Sequence, residues 1–96
     1  MGVATWYGAN FHGLPTASGE VFDMHRFTAA HRNLPLGSWV RVTHLRSRRH
    51  VVVKINDRGP YIPTRLIDLS YAASRQLGML DEGVASVFIE RLPMAN

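Results

Sequence analysis

Polar and apolar residues alternate along much of the chain with the period of two that half-buried β-strands require. The alternation is clearest at residues 38–45, and an apolar, β-branched run at residues 51–55 returns antiparallel after a basic tip. Runs of the same kind predict three further strands, at residues 3–7, 66–69 and 84–92. Residues 20–24 could form a short strand or a turn, and residues 27–32 could form a strand or one helical turn.

One helix is predicted at residues 71–77, which contain good helix formers. Ser70 has the side chain of an N-cap, and Gly78 is placed to end the helix in a left-handed conformation. Long loops rich in Gly, Pro and Ser cover residues 9–19 and 57–64. Short strands, two long loops and one helix predict a single mostly-β domain over residues 1–96, either a small barrel or a sandwich.

Composition supports a globular domain that is held together by packing. The 96 residues are 46% apolar and 19% charged, and none is a cysteine that could form a disulfide. No apolar run reaches the length of a membrane span, and residues 1–6 lack the basic and apolar regions of a signal peptide. We therefore expect no membrane insertion of this domain.

The chain carries a net charge of +4, and its basic residues cluster around the predicted 46–49 tip. Such a cluster could attract an anionic polymer such as nucleic acid. A solvated hairpin tip is the commoner explanation of a short charge run, and we expect no nucleic-acid partner. The histidines show no metal-ligand spacing, and no phosphate loop or nucleophile elbow is present. No metal or cofactor is therefore predicted.

The strongest candidate for chemistry follows the strand at residues 51–55. Asn56-Asp57-Arg58-Gly59-Pro60 ends that strand, so Asp57 leaves a rigid element at the mouth of a loop. This position suits a catalytic acid or base. It equally suits an Asp that caps the turn with its own side chain.

Several fragments in order resemble the double-psi β-barrel domain of the rare lipoprotein A (RlpA) family. These fragments are Trp6-Tyr7-Gly8, Phe11-His12-Gly13, Thr16-Ala17-Ser18-Gly19-Glu20, Thr28-Ala29-Ala30-His31, Leu34-Pro35, Asn56-Asp57-Arg58-Gly59-Pro60 and Asp68-Leu69-Ser70. The resemblance implies a six-stranded barrel with two crossing psi-shaped loops and one short helix at about residues 71–77. It also implies a groove with acidic residues on its floor.

The resemblance further implies a peptidoglycan lytic transglycosylase of the bacterial cell envelope, acting in the periplasm as a monomer. Such an enzyme cleaves the MurNAc-β-1,4-GlcNAc bond of glycan strands that lack stem peptides and leaves 1,6-anhydroMurNAc ends. The alternative is a non-catalytic, expansin-like module that binds glycan. Family members are commonly outer-membrane lipoproteins, but the acylated cysteine is absent from this sequence, and the basic 46–49 tip also departs from the family pattern.

Asp57, Glu20 and His31 match the functional positions of the family, with Asp57 as the acid and base. The acid must start protonated near neutral pH, and partial burial or a neighbouring carboxylate, from Asp68 or Glu20, would favour that form. His31 could relay a proton or hold a sugar group. Four residues are expected to contact substrate: Asp68, Tyr7, Tyr61 and Arg58.

Each assignment has a structural alternative. Glu20 could be a solvated turn carboxylate, and His31 could be a core histidine bound by backbone groups. Asp68 could favour the positive end of the helix, and Arg58 could pair with a carboxylate. Among the other aromatic residues, Trp6 and Phe11 are expected mainly in packing, and Trp39 and Phe88 in the core.

Overall fold

The structure, a computed structural model, describes residues 1–93. These residues form six strands and one helix. In chain order the elements are β1 (Gly2–Tyr7), β2 (Thr28–Ala30), β3 (Trp39–His44), β4 (His50–Asp57), β5 (Arg65–Ser70), α1 (Tyr71–Leu77) and β6 (Val84–Arg91). The predicted elements are confirmed, and the ambiguous segment at residues 27–32 contains a strand. Residues 20–24 contribute only an isolated bridge from Val21 to Pro15.

The strands close into a barrel in the order β1-β5-β2-β4-β3-β6. Two pairs, β1 with β5 and β2 with β4, are parallel, and the remaining neighbours are antiparallel. Parallel neighbours require long crossover connections: β3 lies in the connection from β2 to β4, and both predicted loops lie in the connection from β1 to β5. The six-stranded double-psi barrel with one short helix is therefore confirmed.

Small and β-branched residues fill the barrel. The fully buried side chains include Val40, Val42, Val51, Val53, Ile55, Ile67, Leu69 and Val87. Each comes from alternate positions of its strand, so the intervening residues point outward. The outward face is therefore the one available to loops and ligands.

Helix α1 packs against β4, β1 and β5 and seals the core with Leu77. Ser70 Oγ accepts a hydrogen bond from the Ala73 N–H at 3.2 Å, as expected of an N-cap. Gly78 ends the helix at φ 80°, which favours glycine. No helix in residues 1–93 is long and apolar enough to cross a membrane.

The expectation that Trp39 and Phe88 lie in the core is wrong. Trp39 is 43% exposed and Phe88 is 47% exposed, both on the outer face of their strands. The narrow barrel interior is already filled by valines from the alternate positions, so the large rings point outward. Phe11, expected in packing, is half exposed, although its ring contacts Tyr7 edge-on. Trp6 is partly buried and packs against the core as expected.

Candidate functional site

Two acidic residues flank Ala30 on the outer face of the barrel. Ala30 pairs with Asp68 of β5 on one side and with Asp57 of β4 on the other. A register shift between Ala29 and Ala30 brings Asp57, instead of Asn56, opposite Ala30. Thr5 of β1 pairs with Asp68 and extends the row to four strands. Two strand spacings place the Cα atoms of the two aspartates about 10 Å apart.

Ala30, Asp57 and Asp68 of this row line a cavity of about 350 Å³ that we call the Asp57 groove. These three residues form its floor, and the 57–64 loop forms one wall. The lining residues are Tyr7, Phe11, Ala30, Asp57, Arg58, Gly59, Pro60, Tyr61, Ile62, Arg65 and Asp68. The groove therefore brings together five of the seven predicted site residues.

Backbone N–H groups hold the Asp57 carboxylate in place. Its Oδ1 accepts hydrogen bonds from the Ala17 N–H at 3.0 Å and from the Arg58 N–H at 2.9 Å. Within residues 1–93, Oδ2 receives no hydrogen bond. One oxygen therefore fixes the side chain while the other stays available to a ligand. Asp57 caps its turn and also faces the groove, so the two interpretations of this residue do not exclude each other.

Asp68 is bound from the neighbouring strand. The Thr5 hydroxyl donates a hydrogen bond to Asp68 Oδ1, so this carboxylate is fixed by a side chain where Asp57 is fixed by backbone. The first turn of α1 contains no acidic residue, and Asp68 lies on β5 before it. Thr5 was not predicted as a site residue. Its place beside Asp68 depends on the parallel register of β1 and β5, which the sequence alone does not provide.

Tyr7 places a hydroxyl group near both carboxylates. Its ring stacks on Phe22 at 4.6 Å between centroids. The hydroxyl oxygen is buried and has no hydrogen-bond partner among the described residues. Burial raises the pKa of Tyr7, and the charges of Asp57 and Asp68 raise it further. The hydroxyl therefore keeps its proton and is a hydrogen-bond donor without an acceptor.

Tyr61 stands at the open side of the same groove with 80% of its surface exposed. It lies two residues after Gly59, whose φ of 124° favours a residue without a Cβ. An exposed ring on a loop is a flat apolar surface that a sugar can contact. The position therefore supports the expectation that Tyr61 contacts substrate.

Two arginines tie the loops that border the groove to each other. Arg58 Nη1 donates to the carbonyl oxygens of His31 at 3.0 Å and Leu34 at 2.6 Å. Arg32 Nη1 donates in the opposite direction, to the carbonyl oxygens of Pro60 at 2.8 Å and Arg65 at 2.9 Å. We call this exchange the arginine clamp. Arg58 forms no ion pair with a carboxylate within residues 1–93, so its structural role is the one observed.

His31 organises the backbone next to Asp57. Its Nδ1 accepts hydrogen bonds from the N–H groups of Asn33 and Leu34, each at 3.1 Å. The backbone N–H of His31 donates to the Asp57 carbonyl oxygen at 3.2 Å. Burial lowers the pKa of His31, and the charges of Arg32 and Arg58 lower it further. The ring is therefore neutral at pH 7, with its proton on Nε2, and it does not line the Asp57 groove.

Glu20 lies outside the Asp57 groove. Its carboxylate accepts a hydrogen bond from the Ser18 hydroxyl at 3.2 Å and lies 3.4 Å from Lys54 Nζ. Desolvation alone would raise the pKa of Glu20, but the hydrogen bond and charge of Lys54 and hydrogen bonds from Ser18 and Asn56 outweigh it and lower the pKa. Glu20 is therefore ionised and faces a second concavity, which also contains Asn56 and Trp39.

The described residues contain no group of three or more His, Cys, Asp or Glu side chains placed to hold a metal ion.

Arg41 pairs with Glu90 at 3.6 Å, and Lys54 pairs with Glu20. Two of the five basic residues in the predicted cluster, Arg41 and Lys54, are therefore paired with carboxylates.

Comparisons with known sequences give the family. Residues 1–89 match the profile of a protein family described as lytic transglycolase. The chain is 51% identical over 90 residues to the endolytic peptidoglycan transglycosylase RlpA of Pseudomonas aeruginosa, covering 94% of this chain and 26% of the relative. It is 50% identical over 91 residues to the protein of the same name from Neisseria meningitidis, covering 95% of this chain and 38% of the relative. The chain thus spans less than two fifths of these relatives.

Solved structures with the same fold include a Streptomyces papain inhibitor, with a TM-score of 0.73 and 27% identity over 92% of this chain and 87% of the inhibitor. An expansin of Clavibacter michiganensis gives a TM-score of 0.77 at 19% identity, over 99% of this chain and 50% of the expansin. The barrel therefore occurs in proteins with unrelated names, and the fold alone does not give the activity. The resemblance to the RlpA family is nevertheless confirmed by the sequence comparisons, and the chain belongs to the lytic transglycolase family.

Proposed function

We propose that this chain is a peptidoglycan lytic transglycosylase domain that cleaves the MurNAc-β-1,4-GlcNAc bond in glycan strands without stem peptides. The observation that carries the proposal is the Asp57 carboxylate. It is held by two backbone N–H groups through Oδ1, with Oδ2 available in a groove that also contains Asp68 and two tyrosines. The matched relatives are named endolytic peptidoglycan transglycosylases, which supports the reaction class.

The proposed reaction uses one group as acid and then as base. Protonated Asp57 Oδ2 gives its proton to the glycosidic oxygen as the bond from that oxygen to C1 breaks. The C6 hydroxyl of the same MurNAc then bonds to C1 through O6, and its proton returns to Asp57. No water is consumed, so no second carboxylate is needed to activate one. The product carries a 1,6-anhydro ring.

Asp68 and Tyr7 support this step from either side of the groove. Asp68 is held by Thr5, and its carboxyl group faces the positive charge that develops at C1 in the proposed step. Tyr7 keeps its proton because its pKa is raised by burial and by the two carboxylates. Its hydroxyl donates a hydrogen bond to the substrate or to an aspartate when the groove is occupied. Tyr61 contacts the sugar ring from the loop.

In this scheme Glu20 and His31 hold the backbone around Asp57 in place and do not contact the substrate. Glu20 accepts a hydrogen bond from Ser18, and the Thr16 hydroxyl donates to the Glu20 carbonyl oxygen at 2.7 Å. These contacts brace the turn that presents the Ala17 N–H to Asp57. His31 fixes the neighbouring loop through Nδ1 and binds the Asp57 carbonyl oxygen through its own N–H. We assign both as positioning residues.

The proposed substrate places the protein in the bacterial cell envelope, on the periplasmic side where peptidoglycan lies. In this proposal residues 1–96 form one domain. The domain acts as a monomer on single glycan strands. No cofactor takes part in the proposed step.

The test is mass spectrometry of soluble products after the purified protein is incubated with peptidoglycan stripped of stem peptides. We expect anhydro-ended glycans from the parent and from Asp81→Asn, an exposed control in the turn after α1, and none from Asp57→Asn. Reducing ends in the products would show a hydrolase and overturn the proposal. Retention on the glycan without any release would favour a binding module.

A further inference from the structure

A second concavity of about 860 Å³ lies on the outer face of β2, β4 and β3. Thr28 pairs with Lys54, and Lys54 pairs with Trp39, so these side chains form a row across the three strands. We call it the Trp39 groove, defined by Phe27, Thr28, Trp39, Val52 and Asn56. Thr28 is two residues before Ala30 on β2, so this groove follows the Asp57 groove along the same face of the barrel.

The walls of the Trp39 groove are exposed apolar side chains. Trp39, Phe27 and Val52 all present a large part of their surface to solvent. Three such side chains around one concavity form the kind of apolar surface that ligands cover. An aromatic ring in this setting offers a flat face to the C–H groups of a pyranose ring.

Two residues that line the same groove carry buried polar side-chain atoms without partners. Within residues 1–93 the buried side-chain atoms that lack a hydrogen bond are Tyr7 Oη, Thr28 Oγ1 and Asn56 Oδ1. Tyr7 belongs to the Asp57 groove, and both of the others belong to residues that line the Trp39 groove. An unpartnered buried oxygen is rare because it loses its hydration without compensation. Asn56 Oδ1 is an acceptor, and Thr28 Oγ1 can accept or donate.

The charged side chains at the rim of the Trp39 groove form ion pairs with each other, so no unpaired charge remains among them to bind an ionic ligand. Lys54 lies 3.4 Å from Glu20, and Arg26 lies 3.8 Å from Asp23. Each cation is thus matched by an anion within the groove itself. Exposed pairs of this kind contribute little to stability, so a ligand can displace them from above the floor at low cost. A neutral ligand with apolar faces and an amide N–H fits this combination.

We propose that the Trp39 groove is a second sugar subsite that binds an N-acetylhexosamine residue of the glycan beyond the cleaved bond. The pyranose ring stacks on Trp39, and the acetamido N–H donates to Asn56 Oδ1. Thr28 Oγ1 bonds to a sugar hydroxyl. The choice of an acetamido sugar rests on the proposed function, whereas the groove and its unpartnered atoms do not depend on it.

The test uses tri-N-acetylchitotriose, a soluble β-1,4-linked probe, in a binding experiment that requires no turnover. The chain has two tryptophans, Trp6 and Trp39, so its ¹H–¹⁵N spectrum contains two indole signals that Trp39→Phe assigns. We expect the Trp39 signal to shift on titration while the Trp6 signal stays. Cellotriose, which lacks acetamido groups, should produce a smaller shift at the same concentration.

Variants separate the stacking contact from the polar contact, with affinity measured by calorimetry. Trp39→Ala should weaken chitotriose binding roughly two- to tenfold. Thr28→Val keeps the shape and removes the unpartnered hydroxyl, so it should weaken binding without loss of thermal stability. Phe88→Ala removes an equally exposed aromatic ring outside the groove and should bind like the parent.

An unmoved Trp39 signal, or equal shifts with cellotriose, would overturn the inference. So would unchanged affinity in both Trp39→Ala and Thr28→Val. Failure of the proposed activity has a different signature, because the parent would then release no anhydro glycan while the Trp39 signal still shifted with chitotriose.

Discussion

The two grooves on the outer face of the barrel are built from adjacent residues of β4 but differ in how their charges are arranged. Asp57 and Asp68 face the Asp57 groove and are bound by neutral donors, namely backbone N–H groups and the Thr5 hydroxyl. In the Trp39 groove, Glu20 is matched by Lys54. Desolvation alone would raise the pKa of Glu20, but Lys54 lowers it and this carboxylate stays ionised. Neither Asp57 nor Asp68 forms an ion pair within residues 1–93. The adjacent residues Asn56 and Asp57 of β4 thus line two grooves whose carboxylates have different partners.

The largest expected effect tests this difference directly. Asp57→Asn should lower the rate of anhydro-glycan release by about 10²- to 10⁴-fold, because it removes the acid and base. Glu20→Gln keeps the shape and the hydrogen bond to Ser18 and should lose less than about tenfold, as a tenfold change is about 1.4 kcal/mol. Initial rates on stripped peptidoglycan give both values. Equal losses in the two variants would place Glu20 in the chemistry.

The next effect concerns the arginine clamp beside the Asp57 groove. Arg58→Lys keeps the charge but loses Nη1, the nitrogen that donates to two carbonyl oxygens, so we expect it to lower the free energy of unfolding by about 2 kcal/mol. Urea denaturation measures the change. Arg46→Lys, at an exposed tip residue, is the matched control and should change stability by less than about 0.5 kcal/mol. A stable Arg58→Lys variant would contradict the clamp.

Substitution of Tyr7 should have a smaller effect on stability than substitution of Arg58, and in the opposite direction. Tyr7→Phe removes a buried hydroxyl that has no partner, so the free energy of unfolding should stay the same or rise by about 1 kcal/mol. The rate of glycan cleavage should fall about tenfold, which corresponds to about 1.4 kcal/mol, because the donor is lost when substrate is bound. Thermal unfolding and initial rates give the two readouts. A variant that is both less stable and fully active would overturn this role.

The smallest effect is the pH dependence of stability due to His31. Its pKa in the folded protein lies below its ordinary value of 6.5, so the unfolded chain binds the proton more readily. The stabilisation is complete above pH 6.5 and is lost as the pH falls through the folded pKa. His31→Asn preserves an acceptor near Nδ1 and should show a shallower loss of stability below pH 6.5. Identical pH profiles from thermal unfolding would contradict the assignment.

The sequence predicts local structure here better than it predicts the site. The bounds and both caps of α1 follow from Ser70 and Gly78, and the β4 strand follows from its β-branched run. Alternation divides β3 into two faces, but it does not indicate which face is inside, and for this reason Trp39 was misplaced. The interior is decided by the volume that neighbouring strands leave, which is a property of the closed barrel.

The site depends on contacts that are distant in sequence. The register shift at Ala29 and Ala30 decides whether Asn56 or Asp57 lies opposite Ala30, on the side away from Asp68. No local sequence pattern reveals this shift. Thr5 acquires its role only from the parallel pairing of β1 with β5. Glu20 was grouped with Asp57 by resemblance, yet the turn that carries it leads to the other groove. The sequence therefore supplies candidate residues, whereas their neighbours follow only from the three-dimensional structure.

The arginine clamp has a consequence for anyone who recombines domains of this fold. Each loop supplies the arginine for the carbonyl groups of the other, so Arg58 and Arg32 are reciprocal parts of one unit. A graft of residues 57–64 alone would import one arginine and leave Arg32 facing foreign carbonyl positions. The two loops should therefore be exchanged together when the shape of the Asp57 groove is to be transplanted.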